Sequence, residues 1–130
     1  MSALRSRRLP AALGVLAATA LASAGCAFRR DPPPDADGAT IYAFQLCANC
    51  HADDARGTSR GPDLAGLAEH WDVEGLAAFL ADPEEAVEGD ERLARLARES
   101  SSTMRSYANL SLEQRRVLAR WLLDPGRVDR

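Results

Sequence analysis

Cys47-Ala48-Asn49-Cys50-His51 is the stretch that decides how the rest of this chain is read. Two thiols with two residues between them lie about one helical turn apart, and a histidine follows the second directly. Several chemistries use paired cysteines. A disulfide of structural or thioredoxin type is one. A thioredoxin-type pair follows a β-strand and opens a helix, whereas this pair ends the apolar stretch Gly38 to Leu46 (GATIYAFQL), which reads as a short helix with no βαβ context. Zinc is another, because Cys47, Cys50, His51 and His70 nominally supply two sulfurs and two imidazoles. Adjacent Cys50 and His51 are badly placed to bind one tetrahedral ion together, and no zinc-finger spacing follows.

The remaining chemistry accounts for all five residues. Each thiol can add across one vinyl group of a haem to form a thioether, and the histidine after the second thiol is then placed under the iron as proximal ligand. Cys47 and Cys50 are therefore the expected attachment points of one haem c, and His51 the expected proximal ligand. A distal ligand can be sought by elimination. No lysine occurs in the chain, so outside the N-terminal segment His51, His70 and Met104 are the strong candidates for iron. His70 lies in Glu69-His70-Trp71 just before a helix cap, an ordinary surface setting. Met104 sits in a polar loop (SSTMRSY), where an apolar side chain has nothing to pack on without a cofactor, and its thioether suits low-spin iron. Met104 is the expected distal ligand.

Upstream, Arg5, Arg7 and Arg8 precede an apolar Ala/Leu stretch from Leu9 to Ala22, followed by small residues from Ser23. This is the pattern of an export signal, and it is short for a membrane span. Two cleavage patterns overlap. Ala22-Ser23-Ala24 fits a small-x-small site, and Ser23-Ala24-Gly25-Cys26 resembles the bacterial lipobox, with Ser23 where leucine is usual. In the second pattern Cys26 is lipidated and becomes the new N-terminus. The following polar segment contains Pro32-Pro33-Pro34 and several aspartates, a stiff spacer that suits a tether. The expected organisation is a signal over 1–25, a tether over 26–37, a folded domain over 38–124 and a C-terminal tail over 125–130. Secretion as an unfolded chain also suits covalent haem attachment, which needs accessible thiols.

Downstream the pattern is helical. Asp53 to Leu67 is rich in Gly and Arg, carries the turn signal Gly61-Pro62-Asp63, and reads as a loop. Asp72 offers an N-cap for a helix with Leu76, Phe79 and Leu80 on one face, before Asp82-Pro83 stops that helix or starts another. Glu84 to Glu99 reads as one solvated amphipathic helix, with Leu93 and Leu96 on one side and Arg92, Arg95 and Arg98 between. After the polar break 100–103, Ser111 and Gln114 make a capping box for a last helix bearing Val117, Leu118, Trp121 and Leu122, closed by Pro125. Four helical segments result, and the expected fold class is all-α.

Composition excludes much else. The chain has 130 residues, 46% hydrophobic and 27% charged, which suits one small domain with appendages rather than a multidomain enzyme. Aromatic residues make up 5%, against an all-β fold. The net charge is −3 and no basic face is apparent, so nucleic acid is not an expected partner.

From Gly38 to Leu123 the chain resembles class I cytochrome c. The shared features come in family order: an N-terminal helix, Cys47-x-x-Cys50-His51, Gly61-Pro62-Asp63-Leu64, a helix around Leu76, a Met104-x-x-Tyr107 loop and a final helix with Trp121. The resemblance implies that Pro62 lies on the proximal side with its carbonyl accepting the proton on the second ring nitrogen of His51, a bond that orients the imidazole and raises its basicity. It also implies that the first and last helices cross, bringing Tyr42 or Phe44 near Trp121. The chain departs from the family at three places. Ala43 stands four residues before the first thiol where an aromatic is usual, Ala52 stands where Gly is common, and Arg105 follows Met104 where Pro is frequent. The stretch from Glu84 to Thr103 is also longer and more charged than in the smallest members.

The implied function is one-electron transfer without catalysis, since two strong axial ligands leave iron no open position. A Met ligand opposite the histidine raises the potential relative to two histidines. The expected partners are redox proteins on the periplasmic side of a bacterial membrane, with the membrane itself engaged through the lipid on Cys26. An alternative is a fixed haem-relay subunit of a larger dehydrogenase or terminal oxidase.

Overall fold

The computed structural model describes residues 31–129; the expected export signal, Cys26 and the start of the expected tether lie outside the described residues. Five of the six α-helices among the described residues begin where a side chain satisfies a backbone N–H group that has no intrahelical acceptor; the short turn after Cys47 is the exception. Asp37 caps α1 (Gly38–Phe44) by accepting from the Thr40 N–H at 2.8 Å. A single turn, α2 (Ala48–His51), carries the second thiol and the histidine. Asp72 caps α3 (Val73–Ala81) through the Gly75 N–H at 2.7 Å. Asp82 ends α3 and caps α4 (Pro83–Gly89), with Pro83 at the first helical position, where its missing N–H costs nothing. Helix α5 (Glu91–Glu99) follows, and α6 (Leu112–Leu123) opens on the expected capping box, in which Ser111 and Gln114 bond reciprocally at 3.0 and 3.1 Å. The described residues contain no β-strand beyond an isolated Thr58–Gly61 bridge, in keeping with the all-α expectation.

The single helix expected over Glu84 to Glu99 is two helices. Gly89 is a poor helix former, and Asp90 turns extended (φ −134°, ψ 113°) so that its carboxylate accepts from the Leu93 N–H at 3.1 Å and starts a new helix. Arg92 is also more than a solvated charge, because its guanidinium lies 5.7 Å from the centre of the Trp71 ring.

Helix α6 is the hub, packing against α1 on one side and α3 on the other. Ile41 and Tyr42 of α1, Leu76 and Leu80 of α3, and Leu118, Ala119 and Leu122 of α6 form the buried core with Tyr107 and Leu110. Of the two aromatics that could meet Trp121, Tyr42 does so, with ring centres 5.1 Å apart and planes tilted by 50°. Phe44 faces outward and is 37% exposed. Gly38 makes the crossing close. A Cβ there would lie 2.1 Å from the Trp121 Cβ and 3.1 Å from the Val117 carbonyl oxygen, so only glycine lets the two helices meet at this point.

The link from α1 to the first thiol explains the departure at Ala43. The Leu46 N–H bonds to the Ala43 carbonyl and the Cys47 N–H to the Tyr42 carbonyl, both at 3.1 Å, with Leu46 left-handed at φ 58°. These paired bonds form a Schellman motif, whose left-handed position glycine usually fills. The tight reversal takes up the extra residue between the packing aromatic, Tyr42, and Cys47. In the segment expected as a tail, Pro125–Asp129 forms a 3-10 helix and Arg127 is buried.

Candidate haem-attachment site

The site assembles where the end of α1, the turn α2 and the Gly61-Pro62 loop meet. Cys47 is buried at 8% exposure, His51 likewise, and Cys50 is half-buried; both cysteines are free thiols. The His51 ring is fixed through Nδ1, which lies 2.9 Å from the Pro62 carbonyl oxygen. A carbonyl can only accept, so Nδ1 carries the proton, and the neutral ring keeps its free lone pair on Nε2, the nitrogen available to a metal. This is the bond that the resemblance implied for Pro62.

The loop that supplies Pro62 is held close. Gly57 N–H donates to the His51 carbonyl at 2.9 Å, Thr58 Oγ1 donates to the Cys50 carbonyl at 2.7 Å, and Thr58 N–H donates to the Gly61 carbonyl at 2.9 Å. Gly61 lies against the thiol turn, where a Cβ would meet Cys50 Cβ, the Cys50 carbonyl oxygen and His51 Cε1, each at 3.1 Å. Farther along, Leu64 N–H donates to the Ala55 carbonyl at 2.9 Å, and Arg127 Nη2 donates to the Leu64 carbonyl at 2.6 Å. Sequence reading gives no sign of this brace from Arg127.

Ala52, directly after the histidine, adopts φ 64° and ψ 165°, a conformation nearly confined to glycine. The Tyr42 hydroxyl holds it there by donating to its carbonyl at 2.8 Å, so the aromatic that packs against α6 also fixes the residue beside His51. The family's preference for Gly here therefore has a backbone cause.

Burial pushes the Cys47 thiol up to about 11, with Arg105 and a hydrogen bond from Tyr107 opposing the shift. Burial likewise raises the Tyr107 hydroxyl to about 12. A buried, protonated thiol is a weak nucleophile.

Met104 is half-buried and packs on the hydrophobic cluster that includes Cys47 and Tyr107. His70 is exposed at the end of the Leu67–Glu69 turn. Among the described residues no three His, Cys, Asp or Glu side chains converge to hold a metal ion, so the two-cysteine, two-histidine zinc set does not assemble. Two free thiols, one imidazole with Nε2 available and a thioether on the adjoining cluster are a donor set that fits haem c: Cys47 and Cys50 would hold the macrocycle and His51 the iron.

No curated protein and no solved structure matches the chain. A family model for cytochrome c matches residues 36–124, from the residue before the Asp37 cap to the residue after α6. That span takes in the crossing helices, the thiol turn with its proline-bound histidine and the Met104 loop, and the chain belongs to the cytochrome c family of haem-c-binding electron carriers.

Proposed function

We propose that this protein is an exported single-haem electron carrier, held at a bacterial membrane by lipid on Cys26, in which His51 and Met104 would hold the iron. Haem c, when bound, supplies reversible one-electron exchange between Fe(III) and Fe(II). The chain's own residues do the rest. Cys47 and Cys50 would hold the macrocycle, the Pro62 carbonyl fixes the tautomer and orientation of His51, and the Tyr42–Trp121 contact anchors the helix that leads into the thiol turn. The observation that carries the reading is the 2.9 Å contact between His51 Nδ1 and the Pro62 oxygen, which presents Nε2 as a ligand. Partners are redox proteins, and the low areas typical of electron-transfer contacts suit a carrier that must let go.

The test is a reduced-minus-oxidised visible spectrum of the matured full chain, beside a denaturing gel stained for haem. Sharp low-spin bands and gel-stable haem are expected, and absence of covalent haem after competent maturation would overturn the reading. Met104→Ala should open the iron and allow the reduced protein to bind carbon monoxide; an unchanged spectrum removes Met104 from the ligand role. Cys26→Ser should release the protein from the membrane fraction, and unchanged retention counts against the lipid. A redox enzyme that co-purifies in fixed stoichiometry would replace the mobile carrier by a relay subunit.

A further inference from the structure

Arg105 stands directly after Met104, where the family frequently has proline. Proline would stiffen the chain there by locking φ; arginine cannot, so the loop needs another restraint. The structure contains one. Tyr107 N–H donates to the Leu80 carbonyl at 2.8 Å and Ser106 Oγ to the Ala81 carbonyl at 2.6 Å, tying the loop to the end of α3. Arg105 Nη2 donates across the molecule to the Gln45 carbonyl at 2.7 Å, at the end of α1 and two residues before the first thiol. Its guanidinium also lies 5.1 Å from the centre of the Tyr107 ring, and Tyr107 belongs to the same buried cluster as Cys47. One side chain thus joins the loop beside Met104 to the cap of α1, two residues before Cys47, and to an aromatic of the cluster that buries Cys47.

We propose that Arg105 is the positioning residue that keeps Met104 on the iron, replacing the rigidity of proline by a latch onto the thiol-bearing helix end. The inference rests on the assignment of Met104 as axial ligand. For the thioether to leave, the loop has to swing, and residue 105 cannot swing without giving up the Gln45 bond and the stacking on Tyr107. A charge-assisted hydrogen bond and a cation–π contact at a partly exposed site together bias such an equilibrium by about tenfold.

The test uses the ferric full-length holoprotein titrated with imidazole, which takes the iron position only when Met104 is off. Arg105→Ala should bind imidazole about tenfold more tightly than the unmodified protein. Arg105→Lys should fall between them, because an ammonium can reach one acceptor but lacks the planar face that stacks on Tyr107. Glu74→Gln, which breaks an ion pair between α3 and α6 away from the loop, should leave the affinity unchanged. Unchanged affinity in Arg105→Ala, or an equal gain in Glu74→Gln, overturns the latch. Should Arg105→Ala fail to mature, Arg105→Lys carries the same test, with affinity equal to the unmodified protein overturning it. Met104→Ala separates the two levels of the argument. It should bind imidazole more tightly than every other variant, and if it matches the unmodified protein the ligand assignment itself fails and the latch with it.

Discussion

Replacing Gly38 by alanine sets helix propensity against packing, and the distances decide which prevails. Alanine is the better helix former by up to about 1 kcal/mol, so propensity alone predicts a gain in stability. The added Cβ, however, would lie 2.1 Å from Trp121 Cβ and 2.7 Å from Trp121 Cγ. Carbon atoms in contact sit near 3.5–4.0 Å, so a gap of about 1.5 Å has to be opened. The obstructing Trp121 Cβ is bonded to the α6 backbone and cannot rotate away, so α1 must move off α6. Overpacking of this kind costs about 1–3 kcal/mol, and separating the Tyr42–Trp121 pair adds about 1 kcal/mol. After subtracting the propensity gain, Gly38→Ala should destabilise by about 2 kcal/mol, or roughly 10 °C in Tm for a domain of this size. The assay is guanidinium chloride unfolding of the holoprotein followed by circular dichroism, with a thermal scan alongside. A midpoint equal to or above that of the unmodified protein, at unchanged slope, refutes the close crossing of α1 and α6.

Ala52→Gly should act in the opposite sense. Relief of the strain at φ 64° and ψ 165°, reduced by the greater freedom of glycine in the unfolded chain, leaves a gain of about 1 kcal/mol, or roughly 5 °C in Tm, without change in the visible spectrum. Tyr42 and Tyr107 are the two tyrosines of the chain, and burial raises both. The unfolded chain ionises them near 10.0, whereas the folded protein holds Tyr107 protonated to about 12. Their contribution to stability is therefore complete below pH 10 and is lost as pH rises through the folded value. Ultraviolet titration should show at most about a tenth of one tyrosine ionised by pH 11 in the native protein, followed by release of both on alkaline unfolding; early ionisation of both would contradict their burial. Glu74 is held below its ordinary 4.5 by its hydrogen bonds from Arg116, so its contribution is present above that value and lost as pH falls through the lowered folded one. The stability difference between the unmodified protein and Glu74→Gln should be small at neutral pH, shrink with added salt and vanish in acid; a difference that persists in acid would mean that the ion pair is not its source.

Much of the site was legible because its chemistry is local. The thiol pair and His51 are consecutive, and the caps at Asp72 and Ser111 follow from residues within three positions of the helix start. The break at Gly89–Asp90 was also written locally, in a poor helix former followed by a capping aspartate, but the reading of Glu84 to Glu99 as one amphipathic helix ran across it. Arg105 was visible only as a departure from proline, with no hint that its partner lies sixty residues away at Gln45. Arg127 gave no signal at all: it follows Pro125 and Gly126, residues that read as the end of order, yet its side chain reaches back to Leu64.

By itself the sequence determined the cofactor chemistry, the helical class and the order of the elements, because residue type and short-range spacing carry these. The tertiary structure decided which aromatic crosses onto Trp121, why glycine is required at position 38, how Leu46 takes up the extra residue before Cys47, and what restrains the loop after Met104. Each of these depends on a distance between segments far apart in the chain. Such distances are set when α6 packs simultaneously on α1 and α3, and no local pattern of residues encodes them.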